Sequence, residues 1–489
     1  MGMKFTRRAA LAGVISSLAA PALATAPTAS LRPIPRPGSV GPAPAADLLA
    51  KAKLSGTTAF IATRADGTVI EALNAARGLP PASVAKALTA VYAMESLGAS
   101  YRFATVLLGT GPVADGVLEG DLILKGTGDP ILDSDALGGL AAQLKEAGIT
   151  GISGRFLVDG RDMPKIDQVD PAQLPWVGYN PSVSGLNLNY NRVHFEWRKT
   201  GADYRLTMDA RAKTYQPRVA TSQMKIVPEA WPIYTYRQGA DRELWTVARP
   251  ALGSGGARWL PVRRPEIYAG DVFRTIAASF GVTLPEAEIE AGPMRGAVLG
   301  SHISPSLRGL CGGMLKYSTN LTAEVLGLRA SQARGAAPET LQNSAEAMNS
   351  WAAQRFGAAM ELVDHSGLGE ASRVSCAGLA RVLNGTSELS DMLKEIKVKN
   401  SQGDVVDAPS YGIRAKTGTL YFVNSLAGYI TPKGREPISF AIISSDLPRR
   451  AAIKEGDKER PPGARSYARR ARTLQQGLIA RWAALAVEA

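Results

Sequence analysis

The chain has 489 residues, 45% hydrophobic and 20% charged, with a net charge of +13. That length suits two or three domains and that composition an ordinary folded soluble protein. Two cysteines (Cys311, Cys376) and three scattered histidines (His194, His302, His365) leave no zinc site of ordinary spacing.

The basic charge is spread along the chain, apart from "PRRAAIKEGDKERPPGARSYARRAR" near its end. Aromatics are only 6%, too few for a basic stripe with stacking side chains, so nucleic acid is not expected as a partner. A solvated basic surface, anionic envelope polymers or the outer face of a bilayer fit better.

Lys4, Arg7 and Arg8, the apolar run from Ala9 to Ala20 and the small-x-small site Ala22-Leu23-Ala24 read as a signal peptide over 1–24. Thr6-Arg7-Arg8 resembles a twin-arginine signal, with an ordinary secretory signal as the competitor. No segment reaches the roughly 20 apolar residues of a membrane span. A periplasmic, exported protein is expected. Residues 25–45, rich in Pro, Ala, Gly and Ser, read as a flexible leader.

"TAFIATRADGTVIEAL" reads as a hairpin around "ADG", and a helix is expected after Pro80-Pro81. From about 105 to 300 the texture is short strands and turns, broken by one helical segment, "DALGGLAAQLKEAG". Helical periodicity returns after about 305, and "YGIRAKTGTLYFVNSLAGYITPKGREPISFAIISSD" reads as three strands with turns. "ARRARTLQQGLIARWAALA" is a last helix. The pattern is an α/β domain interrupted by a β-rich insertion. Both cysteines lie in helix-like stretches, which fit two buried thiols at least as well as a disulfide.

Ser83 and Lys86 stand three apart at a helix start, hence on one face. A serine hydroxyl is a poor nucleophile until a base takes its proton. A lysine serves as that base only when desolvation or nearby positive charge lowers its pKa. Free N–H groups at a helix start can also hold a developing oxyanion. Ser222 and Lys225 repeat the spacing, but prolines in the following "IVPEAWP" argue against a helix there.

Ser318 and Asn320 form a Ser-x-Asn in "KYSTNLTAE". A hydroxyl and an amide two apart can relay a proton and anchor a substrate amide, although a helix cap explains the tripeptide taken alone. Lys416-Thr417-Gly418 offers a cation and a hydroxyl on an edge strand to grip a carboxylate, and its glycine admits a close backbone. Lys199-Thr200-Gly201 is a second copy, at the tip of an expected hairpin.

The order Ser-x-x-Lys, Ser-x-Asn, Lys-Thr-Gly is that of penicillin-binding proteins and serine β-lactamases. With "LPPASVAK", "LEGDLILKGTGDPIL", "YSTNLTAEVLGL", "DHSGLGEASRVS" and "AKTGTLYFVNSLAGYI", and 235 residues between Ser83 and Ser318, the chain resembles the class C low-molecular-mass penicillin-binding proteins, the D-alanyl-D-alanine carboxypeptidase/endopeptidase family. The resemblance implies an α/β (α+β) transpeptidase-type domain, an antiparallel sheet flanked by helices, from residues 46–104 and 305–489. It also implies two inserted, mostly β domains: 105–195 with 265–304, and a nested 196–264.

On this resemblance Ser83 attacks the penultimate D-Ala carbonyl of a peptidoglycan stem peptide and Lys86 accepts its proton. Ser318 passes a proton to the leaving D-amino acid, and Asn320 orients the peptide. Lys416 and Thr417 hold the terminal carboxylate, and the N–H groups of Ser83 and Thr419 form the oxyanion hole. Water then hydrolyses the acyl-enzyme, and β-lactams trap it. No cofactor or metal is implied.

There are departures. The family pattern "DGSGLSR" is here Asp364-His365-Ser366-Gly367-Leu368-Gly369-Glu370. Glu370 thus stands where relatives place an arginine that recognises the diaminopimelate side chain, with Arg373 a nearby substitute. Asp159 in "FLVDGRD" matches the partner acid of that pocket, and Tyr421 stands where relatives carry other residues. The rivals are a secreted serine β-lactamase, which the long insertion disfavours, and a catalytically idle murein-binding scaffold, which has no chemical need of Lys86. Residues 466–486 set Arg469, Arg470, Arg472 and Arg481 against Leu474, Leu478, Ile479 and Trp482. Packing across the catalytic sheet is the preferred role for that helix, and an amphipathic membrane contact the alternative.

Overall fold

A computed structural model describes residues 42–488 apart from 291, 293, 294, 401 and 402. The expected signal peptide and residues 25–41 of the leader lie outside the described residues. The unit spanning 43–489 begins with helix α1 (Ala45–Ala52), so the end of the expected leader is helical. Strands β1 (Thr57–Thr63) and β2 (Val69–Leu73) form the antiparallel hairpin read from the sequence. A 3₁₀ turn, Ala82–Val84, leads into α2 (Ala85–Leu97). Beyond a long excursion come α3 (Leu307–Tyr317), α4 (Asn320–Ala333), α5 (Leu341–Phe356) and α6 (Cys376–Asn384). Strands β3 (Tyr411–Leu420), β4 (Val423–Pro432) and β5 (Ile438–Ser445) and helix α7 (Ala464–Glu488) close the chain.

One six-stranded antiparallel sheet joins the two ends of this unit in the order Lys394–Glu395, β3, β4, β5, β1, β2. Thr57 on β1 lies opposite Ser445 on β5, and Thr63 opposite Ser439. The two-residue alternation of β1 divides its side chains between two layers. Ala59 and Ile61 join the core built on α2 to α6, whereas Phe60 and Ala62 face α7. All eight residues of β5 are buried, as expected for a strand covered on both faces.

The apolar stripe of α7 is committed to this sheet. Leu474, Leu478, Ile479 and Trp482 are buried with Phe60, Leu426 and Phe440. The Trp482 indole donates to Glu71 at 2.9 Å, and Arg481 lies 3.0 Å from the same carboxylate. Burying each such side chain is worth about 1.5–3 kcal/mol. Packing across the sheet therefore accounts for the stripe that made a membrane contact conceivable. Among the described residues no helix is long and apolar enough to cross a membrane.

Between 104 and 303 the chain forms a five-stranded mixed sheet, ordered 287–289, 156–159, 122–126, 104–109, 297–303. Two three-stranded sheets lie between 192 and 261. Strands 122–126, 156–159 and 287–289 run parallel, which requires crossovers, and helices Ser134–Glu146 and Pro265–Ser279 supply them. One apolar cluster runs through all of this, from Leu107 through Phe195 and Trp245 to Leu284. Cys311 in α3 and Cys376 in α6 are buried and free, so the thiol alternative holds. Burial pushes both thiols up to about 12.

Candidate active site

Pro80 and Pro81 break the preceding segment, and Ala82 takes a left-handed φ of 48°, which costs a residue with a Cβ roughly 1–2 kcal/mol. Neighbours hold it there. The Pro81 carbonyl accepts from Ser425 Oγ of β4 at 2.6 Å. Gly367, at φ 74°, approaches the Ala82 carbonyl so closely that a side chain would overlap it. The strain sits directly before Ser83, which is partly exposed.

One turn further on, Lys86 is fully buried. Its Nζ lies 3.0 Å from Ser83 Oγ, 2.7 Å from Asn320 Oδ1 and 2.8 Å from the Ser366 carbonyl oxygen. An ammonium has three protons for these three acceptors. Asn320 Oδ1 and the Ser366 carbonyl only accept, so a neutral amine keeps two N–H groups on them and turns its electron pair to Ser83. Burial brings Lys86 down to about 8, against the opposing fields of Glu324 and Asp364.

Ser318, in a left-handed conformation (φ 61°), caps α3, and α4 begins two residues later at Asn320. The tight joint brings Asn320 to Lys86 and Ser318 to Lys416. Asn320 Nδ2 donates to the Tyr179 carbonyl of the inserted segment at 2.7 Å. From β3 the buried Lys416 donates to Ser318 Oγ at 2.9 Å and to the Thr417 carbonyl at 2.7 Å. Burial, then the charges of Lys86 and Lys394, bring Lys416 down to about 7. Thr417 and Thr419 are exposed, and Thr419 Oγ1 accepts from Asn424 at 3.1 Å.

Gly418 has a further reason beyond the one read from the sequence. A Cβ there would fall 2.9 Å from both Ser83 N and the Pro81 carbonyl oxygen, and against Ser425 Oγ. β3 can therefore lie against the serine's own turn only because position 418 has no side chain. A cavity of about 650 Å³ is lined by Lys316, Asp391 and Lys394 among others, and by none of the trio's residues.

The trio thus meets in one place, and its sequence copies do not. Ser222 and Lys225 are on the strand Ser222–Val227, where Ser222 Oγ faces Glu243 at 3.4 Å. Lys199-Thr200-Gly201 forms the expected hairpin tip, with Gly201 at φ 63°. Asp159 is not joined to the trio by any described bond. Burial opposes its charge, yet the Arg161 guanidinium, on both its oxygens at 2.9 Å, and Lys125 at 3.7 Å hold it below the usual carboxylate range. Tyr421 donates to the Glu459 carbonyl at 2.8 Å. Glu370 lies 3.5 Å from Arg450, and Arg373 donates to the carbonyls of Glu370 and Ser372.

Sequence reasoning did not single out Glu324, although a signal existed. It is an acid four residues after Asn320 on the same helix face, next to the apolar Ala323, Val325 and Leu326. It is fully buried and accepts from the backbone N–H groups of His365 and Ser366.

Residues 43–459 match the model of the D-Ala-D-Ala carboxypeptidase 3 (S13) family. The chain belongs to that family. It is a hydrolase of the serine D-Ala-D-Ala carboxypeptidase type, and the match extends through the insertion, which supports this reading over the β-lactamase and idle-scaffold ones. Among relatives of this S13 protein, the D-alanyl-D-alanine carboxypeptidase DacB of Haemophilus influenzae is 26% identical over 81% of this chain and 86% of its own. The D-alanyl-D-alanine carboxypeptidase of Actinomadura sp. is 25% identical over 78% and 76%. In fold, the chain resembles crystalline penicillin-binding protein 4 (dacB) of Haemophilus influenzae, with TM-score 0.67, 24% identity and coverage of 83% and 95%.

Proposed function

We propose that this S13 protein cleaves D-Ala bonds of peptidoglycan stem peptides through an acyl-enzyme on Ser83, in the periplasm after export. The single observation carrying this reading is the coordination of Lys86, whose three partners include only one that can return a proton. Ser83 Oγ bonds to the substrate carbonyl carbon as its proton passes to Lys86. The C–N bond then breaks, and the leaving amine takes a proton through Ser318, which Lys416 orients. Asn320 and the exposed Thr417 and Thr419 line the path of the peptide, and Lys416 offers a cation to its terminal carboxylate. Water releases the acyl group by the reverse proton path.

In a β-lactam the C–N bond that breaks lies in a ring, so the freed amine stays tethered to the acyl group, and the adduct is expected to remain on Ser83. The Haemophilus influenzae relative has been solved complexed with a β-lactam, which supports this expectation. The test is mass spectrometry after incubation with benzylpenicillin. The adduct maps to the peptide holding Ser83 and vanishes in Ser83→Ala, whereas Ser222→Ala keeps it. An adduct elsewhere, or rapid turnover with no stable adduct, would refute the reading.

A further inference from the structure

Two buried carboxylates act on Lys86, Glu324 on α4 and Asp364 in the loop after α5. Backbone amides rather than cations meet them. Glu324 Oε2 accepts from His365 N at 2.9 Å and Oε1 from Ser366 N at 3.0 Å. Asp364 accepts from Gly367 N at 2.6 Å and from Gly369 N. Ser366 therefore has its N–H on Glu324 and its carbonyl on Lys86, so one peptide unit links the acid to the amine. α4 reaches Lys86 twice, directly through Asn320 and indirectly through Glu324.

The same loop is pinned from other sides. The His365 carbonyl accepts from Thr89 Oγ1 of α2 at 2.6 Å. The His365 ring meets Ser344 Oγ at 2.8 Å and fills the space beside Gly327, where any side chain would overlap it.

We propose that Glu324 is a positioning residue for the reaction: by holding the His365–Ser366 backbone it keeps the Ser366 carbonyl on Lys86 and so aims the amine's electron pair at Ser83. The inference rests on the reading of Lys86 as the base. If the carbonyl drifts, one N–H of the neutral amine loses its acceptor, and the amine is free to rotate its electron pair away.

The charged groups facing Lys86 are Glu324 from α4, Asp364 from the loop with Asp170 behind it, and Lys416 from β3 with Lys394 behind it. His365, pulled down to about 3 by burial, stays neutral. Burial, then the Asp364 carboxylate, raises Glu324 to about 8, so its charge acts on Lys86 in the alkaline part of the range, and removing it should lower the proton affinity of Lys86 there.

The experiment is the pH dependence of Ser83 acylation by benzylpenicillin in the full chain. In Glu324→Gln the maximal rate is expected to fall at least about tenfold, and the alkaline limb, which the higher-titrating Lys86 sets, to move down in pH. A residue important only for folding would reduce the amount of active protein without moving the limb, so an unmoved limb overturns the proposal. Should Glu324→Gln not fold, Glu324→Asp keeps the charge but withdraws it from the two amides. The expected result is then a limb in place and a rate at least about threefold lower, and a parental rate overturns the proposal. A parent chain that is never acylated at Ser83 refutes the reading beneath it, and this inference with it.

Discussion

Lys86 depresses the proton affinity of Lys416: the two buried amines serve adjacent hydroxyls, Ser83 and Ser318, and neither can be charged without raising the cost of the other. The roles proposed for them require opposite states, Lys86 neutral and Lys416 charged. Lys86 loses its proton near pH 8 and Lys416 near pH 7. The productive form is thus a minority at every pH. Acylation by benzylpenicillin should follow a bell with its maximum at about pH 7.5, its limbs belonging to the pair. A profile flat from about pH 6 to 9 contradicts the assignment.

Gly327 and His365 form a lock between α4 and the loop carrying Ser366. The imidazole lies nearly parallel to the Tyr92 ring, with centroids 6.5 Å apart. Gly327→Ala should cost about 1–3 kcal/mol of stability from overpacking and slow Ser83 acylation by displacing Ser366. Adding His365→Gly should restore much of both. Thermal melts and acylation rates of the two single variants and the double variant provide the check, with a coupling above about 0.5 kcal/mol expected.

Trp482 ties α7 to the sheet at Glu71. Trp482→Ala should lose about 3–5 kcal/mol while leaving the acylation rate of the folded fraction near the parent's. The full chain should stay in the soluble fraction of a vesicle-flotation assay, because the stripe is already buried. Flotation that survives high salt and is abolished by Trp482→Ala would restore the membrane reading.

The three motifs are legible because each is local: one turn of helix, one tight joint, three residues of a strand. The hairpin of β1 and β2 and the buried run of β5 are legible for the same reason. What binds the motifs into a site is not local. Glu324 acts on amides some 40 residues later, and the Tyr179 carbonyl on Asn320 comes from 141 residues away. The parallel pairing of 122–126 with 156–159 leaves no mark in alternation, since register between distant strands depends on the helix that crosses between them. Asp159 illustrates the limit. The resemblance makes it the partner acid of a side-chain pocket, whereas the contact it makes is with Arg161, two residues on.

The pairing of β1 with β5 has a consequence for synthesis. Thr58 and Ser444, whose hydroxyls lie 3.0 Å apart, are separated by 386 residues. At about 5–20 residues per second the first hairpin waits roughly 20–80 s on the ribosome for the strand that covers its edge. For that interval β1 presents an unpaired apolar border, the kind of surface chaperones recognise. Ordering of the nucleophile's turn, which needs Ser425 and Gly418, is delayed with it. The nascent chain therefore stays unreactive until nearly its whole length has been translated.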